Sequence, residues 1–110
     1  MNKSLINTDI LMRWAQRKLG PSKCKRILIV DRKTTDYGWY DWNGTIYINI
    51  RQFGSMVSIY RVLAHEWTHA QQKYFMYARL YKQFGYRNHP YEKEARQRER
   101  TCFRELFVTL

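Results

Sequence analysis

Ser55-Met56-Val57-Ser58-Ile59-Tyr60-Arg61-Val62-Leu63-Ala64-His65-Glu66-Trp67-Thr68-His69-Ala70-Gln71-Gln72-Lys73-Tyr74 carries two patterns at once. Met56, Tyr60, Leu63, Trp67, Ala70 and Tyr74 recur at four, three, four, three and four residues. That spacing predicts a long helix with one continuous buried stripe, running on through Tyr81 until Gly85 stops it. The second pattern is His65-Glu66-Trp67-Thr68-His69. On a helix its two histidines stand one turn apart on one face, where a pair of imidazoles can hold one Zn²⁺ and Glu66 stands beside them as a general base for water. His65 lies about 200° round the helix from Leu63 at roughly 100° per residue. A histidine buried only for packing is expected on the stripe, and these two of the chain's three histidines lie off it. Hydrolytic zinc chemistry is the leading explanation of that placement.

Upstream, Asn7, Thr8 or Asp9 can cap a first helix that Gly20-Pro21 ends, with Leu11, Trp14, Ala15 and Leu19 on one stripe. Ile27-Leu28-Ile29-Val30 is a short β-branched run and predicts a buried strand; residues 36–42 predict a second. Asn43-Gly44 is the dipeptide most typical of a two-residue type I′ hairpin. Thr45-Ile46-Tyr47-Ile48-Asn49-Ile50 then alternates, with the three isoleucines on one face, and predicts a half-buried antiparallel strand. Downstream, Asn88-His89-Pro90 reads as a helix start with proline at its first position, opening a last helix to about Phe107. The expected class is α+β, a single domain over residues 1–110.

Composition narrows the function. At 110 residues the chain has room for one modest core, and 45 % hydrophobic content with four Trp, nine Tyr and five Phe favours a folded globule. No apolar stretch reaches the ~18 residues of a membrane span, and Asp9, Arg13 and Arg17 interrupt any signal-peptide core, so a cytoplasmic protein is expected. Cys24 and Cys102 stand apart from the motif and read as buried thiols or a long-range pair. The net charge of +11 attracts polyanions, whether nucleic acid, anionic membrane or acidic protein, although a small basic protein need bind none of them.

A hydrolytic zinc centre needs a third protein ligand and an open fourth position. The available donors are His89, Glu92, Glu94, Asp9, Asp31, Asp36 and Asp41. The metzincin position for a third histidine holds Phe75, which sets that class aside. Taken together, His65-Glu66-Trp67-Thr68-His69-Ala70-Gln71-Gln72 and His89-Pro90-Tyr91-Glu92-Lys93-Glu94-Ala95 resemble the gluzincin metallopeptidases, most of all their smallest members, the minigluzincins. The resemblance implies a compact zincin-like domain: an N-terminal helix, a small, mostly antiparallel three-stranded sheet, the motif helix and a C-terminal glutamate helix. It implies one zinc per chain on His65, His69 and Glu94, with Glu92 beside them and Glu66 as the catalytic base of an endopeptidase. Such enzymes bind extended peptide along an edge strand, here expected to be 45–50, with Tyr47 and Asn49 as contacts. Tyr74, His89 and Tyr91 are the candidates to stabilise the transition state. The acid that orients a motif histidine in thermolysin-like enzymes is replaced by Arg98.

A peptide or protein substrate and a monomeric state are expected. Two further readings stand beside this one. The enzyme could be latent, with residues 101–110 across its cleft. Alternatively, the chain could be a basic zinc-containing protein that binds nucleic acid or an acidic partner without catalysis.

Overall fold

The computed structural model describes residues 5–109, and the side chains of residues 5–105. Its order is helix α1 (Thr8–Leu19), strands β1 (Arg26–Val30), β2 (Gly38–Tyr40) and β3 (Thr45–Asn49), a short 3₁₀ turn (Ile50–Gln52), and helices α2 (Met56–Ala70), α3 (Tyr74–Phe84) and α4 (Pro90–Thr109). The class is α+β: four helices and a small three-stranded mixed sheet among the described residues.

Asn7 is the residue that caps α1, its Oδ1 accepting from the amides of Asp9 (3.0 Å) and Ile10 (3.3 Å). Gly20 closes the helix at φ 87°, and its carbonyl accepts from the indole N–H of Trp67. That bond lets Trp67 be fully buried without an orphaned donor. Around it lie Leu11, Ala15, Ile46, Ile48, Ile59 and Leu63, so α1, α2 and the inner face of the sheet share one core.

The sheet corrects two expectations. Its order is β1-β3-β2, and β1 runs parallel to β3 over five residues while β2 pairs antiparallel over only three. The sheet is therefore mixed, not mostly antiparallel, and β3 is its centre. Hydrogen-bonded on both sides, β3 cannot take up a peptide, and β2 is the edge strand nearest α2. Asn49 is wholly buried, bonding Arg32 and the Asp36 carbonyl to tie down the 31–37 loop, and Tyr47 stacks on Trp39 at 4.9 Å. Both side chains are thus engaged within the sheet and its loop.

The hairpin is also not the two-residue type. Asn43-Gly44 as a type I′ loop places Trp42 opposite Thr45, whereas the observed register sets Tyr40 opposite Ile46. Asp41 decides the difference. Its Oδ1 accepts from the amides of both Asn43 (2.7 Å) and Thr45 (3.0 Å), an Asx turn that competes with the hairpin bond. The loop becomes 42–44, and Trp42 is driven to φ 61°, a strained conformation for a bulky side chain. Gly38 is required at the start of β2: a Cβ there would lie 2.7 Å from the Tyr47 carbonyl and 2.9 Å from Val62.

The long helix breaks. Its stripe holds through Ala70, but Gln71 and Gln72 turn their amides back to Thr68 and His69, Lys73 is extended, and α3 starts afresh at Tyr74. The Ala70 carbonyl is taken by the Lys23 amide, and the Gln71 side chain bonds the carbonyls of Leu19 and Pro21. Tyr74, expected on the buried stripe, is exposed. α4 opens at Pro90 as expected and continues to Thr109; the apolar side chains of 106–110, invoked for a latent form, lie outside the described residues. Cys24 and Cys102 are both free and buried.

Candidate metal centre

The site forms where α2 and α4 face each other. His65 and His69 project from α2 at adjacent turns, and Glu92 comes from the first turn of α4. His65 Nε2 and His69 Nε2 each lie 3.1 Å from the same oxygen, Glu92 Oε1. All three donor atoms fall within 4.8 Å of one another. Ligands on a tetrahedral zinc at Zn–N distances of 2.0–2.1 Å stand about 3.3 Å apart, close to the 3.1 Å that separates each Nε2 from Glu92 Oε1.

Glu92 occupies the place expected of Glu94. The physical reason is helix phase. Ala95 and Cys102 are the buried residues that set the inner face of α4, and Glu92 and Glu99 lie on that face at i−3 and i+4 from Ala95. Glu94 falls roughly 160° away from Glu92 at ~100° per residue. It is exposed and accepts a hydrogen bond from the Gln72 amide at 3.0 Å.

The outer nitrogens of the two histidines are also held. His65 Nδ1 lies 2.7 Å from Glu99, whose other oxygen accepts from Arg61 at 2.7 Å. His69 Nδ1 lies 2.7 Å from Gln72 Oε1, and the Gln72 amide is fixed in turn by the Tyr91 carbonyl and Glu94. Holding Nδ1 of each ring fixes the tautomer that leaves Nε2 free to ligate. Glu99 therefore supplies the orienting carboxylate that Arg98 cannot. Replacing Glu99 by Gln is expected to weaken zinc binding by about 10–100-fold, read by competition with a chromogenic chelator. Unchanged affinity would show that the Arg61–Glu99 pair serves packing alone.

Charge in the cluster is balanced by mutual contact. Burial disfavours the His65 imidazolium, but bonds to Glu92 and Glu99 outweigh that and carry it up to about 10. His69 is raised for the same reason, through Glu92 and Glu66. Burial also opposes the Glu92 carboxylate, yet hydrogen bonds from His65, His69 and Tyr77 hold it well below the ordinary range. Glu66 behaves differently: burial pushes its carboxyl up to about 7, while His65, His69 and the Tyr40 amide pull against that rise. Without an ion, protons on the imidazoles neutralise the carboxylates; a divalent cation replaces those protons, which suits this donor set to a metal.

No protein-family model matches the chain, and no curated protein or solved structure matches it.

A cavity of about 230 Å³ opens on the donors, lined by β2, Trp42, Glu66, Tyr77 and Tyr86 as well as the three candidate ligands. Tyr77 was not expected there. Its hydroxyl donates to Glu92 Oε2 and its ring meets His69 edge-on at 5.4 Å. The strained Trp42 packs on Tyr77 at 5.0 Å and on His69 at 5.7 Å. Among the expected stabilisers, Tyr74 meets the Trp42 ring at 5.5 Å. His89 is wholly buried and committed to backbone: Nε2 faces the Tyr77 carbonyl and Nδ1 accepts from the Tyr91 amide. Tyr91 contributes its carbonyl to Gln72, which places it behind the site rather than in the cavity.

Proposed function

We propose that this chain is a small zinc-dependent endopeptidase of gluzincin type, with a zincin-like core. The observation that carries the reading is the convergence of His65, His69 and Glu92 beside Glu66, in a cavity bordered by the edge strand β2. One zinc per chain would be held by His65 Nε2, His69 Nε2 and Glu92 Oε1. Bound there, it supplies a Lewis acid for a peptide carbonyl and lowers the pKa of water. The donor group among the described residues numbers three, which fits a centre with an open position better than a closed structural one.

The chain's own residues do the rest. Glu66 takes the proton of the attacking water and returns it to the leaving amine. Glu66 lines the cavity beside the Tyr40 backbone. Tyr77 donates its one hydroxyl proton to Glu92 Oε2 and so holds the third candidate ligand in place. Substrate binds by strand addition to β2. Asp41 and Tyr37 bond to β3, so by antiparallel alternation Gly38 and Tyr40 turn their backbone groups outward to the free edge.

Metal analysis of the purified chain, combined with cleavage of a broad peptide library, tests the proposal. One zinc per chain is expected, with hydrolysis that a chelator abolishes and added zinc restores. A chain that binds zinc stoichiometrically and hydrolyses nothing is instead a basic zinc-containing binding protein.

A further inference from the structure

α3 is the one helix among the described residues that buries none of its own residues. Nine large hydrophobic side chains are exposed among the described residues, and five of them lie in the short segment from Tyr74 to Tyr86. Phe75 is 63 % exposed, Tyr74 59 %, Tyr81 51 % and Phe84 42 %. Tyr86 has a partner in the Arg96 guanidinium and Tyr74 touches Trp42, while Phe75 is the most exposed of the five. A cluster of this size on so small a chain marks a surface that meets something. Its charge is one-sided: Lys73, Arg79, Lys82 and Arg87 are its ionisable cations, and no Asp or Glu occurs between Glu66 and Glu92.

We propose that α3 is a docking helix for an anionic lipid surface. At roughly 100° per residue, Phe84, Tyr81, Tyr74 and Phe75 span about half the circumference of the helix. Lys82 lies within that arc beside Phe75, Arg79 just beyond Phe75, and Lys73 beyond Phe84, while Tyr77 on the Phe84 side turns toward the body. Aromatic rings on a broad arc with long cationic side chains among them and at its margins match a helix lying in the bilayer interface: the rings enter the headgroup layer and the cations extend to the phosphates. Single-stranded nucleic acid fits less well, since stacking successive bases needs rings along one track in a groove, and the rings of α3 are spread over a convex arc. The cation and aromatic arc also adjoins the candidate centre through Tyr77 and Tyr74, so docking sets the cavity close to the membrane surface.

The test is vesicle co-sedimentation of the full chain, with zwitterionic phosphatidylcholine vesicles and with vesicles containing phosphatidylglycerol. Binding to the anionic vesicles alone is expected, weakening as salt rises. A Phe75→Ser/Tyr81→Ser variant, folded by circular dichroism, is expected to lose at least about tenfold in partitioning, the scale of removing one buried aromatic. Arg79→Glu/Lys82→Glu is expected to lose a comparable factor. Absence of binding to anionic vesicles overturns the proposal, as does full binding by the Ser variant, which would reduce the effect to net charge. Tight binding to a single-stranded oligonucleotide without vesicle binding, lost in the Ser variant, overturns it in favour of nucleic acid.

Discussion

Glu66→Gln is expected to lower peptide hydrolysis by about 10²–10⁴-fold while leaving one zinc per chain. The two side chains have the same shape, so His65, His69 and Glu92 keep their geometry, but an amide cannot accept the proton of the attacking water. The loss corresponds to about 3–5 kcal/mol of barrier. The same substitution carries a second signature. Burial disfavours the Glu66 carboxylate and pushes its pKa up to about 7. A neutral amide removes that unfavourable charge, so the variant is expected to be no less stable than the parent at pH 8, judged by chemical denaturation. Measured together, zinc content, rate and stability separate the explanations. A Gln variant that hydrolyses peptide at the parental rate would remove Glu66 from the mechanism. One that loses its zinc would make Glu66 a ligand.

Much of this architecture was legible in the sequence, and the misses have specific causes. The stripe Met56–Ala70 and the off-stripe histidines follow from residue spacing alone, because a helix leaves no freedom in which residues share a face. The end of that helix did not follow. Neither glycine nor proline stands at 71–73, and the break comes from side chains reaching far in sequence: Gln71 to Leu19 and Pro21, Lys23 to the Ala70 carbonyl. Strand order was hidden for a similar reason. A clean alternation at 45–50 shows that one face is buried but not whether both edges are paired, and the parallel partner lies across a crossover. The two-residue hairpin failed against Asp41, two residues before the dipeptide that suggested it.

The unread break has a consequence for the site. In an uninterrupted helix Tyr77, eight residues beyond His69, would stand about 12 Å further along the axis. Because the chain turns at Gln71–Lys73, Tyr77 folds back to lie 5.4 Å from His69 with its hydroxyl on Glu92. The same turn frees Gln72 from the helix ladder, where its side chain can hold His69 Nδ1. The motif supplies two candidate ligands and a base, but the shell that orients them is built from tertiary contacts. The surplus of positive charge is likewise uneven. Three of the chain's nine acids (Glu66, Glu92 and Glu99) gather at this one centre. Such clustering is costly unless imidazolium or a divalent ion neutralises it.

Replacing Glu92 by Gln is expected to weaken zinc binding by more than about 100-fold, whereas Glu94→Gln stays within about tenfold of the parent. The contrast follows from distance. Glu92 Oε1 is shared by both Nε2 atoms at 3.1 Å, so its loss removes a donor and the only direct carboxylate contact to His69 Nε2 among the described residues. Glu94 acts two bonds further out, through Gln72 to His69 Nδ1, and contacts beyond the ligand's immediate partner cost less than the 10–100-fold typical of that partner. Gln at 92 keeps the hydrogen-bonding volume between the helices, so folding survives for the comparison, with circular dichroism as the check. Competition with a chromogenic chelator reads both affinities on one scale. The reverse order, a Glu94 variant that cannot hold zinc beside a Glu92 variant that can, would mean that α4 turns by nearly half a revolution about its axis when the ion binds. The buried face defined by Ala95 and Cys102 opposes that rotation, since it would expose both and bury Lys93 or Glu94 in their place.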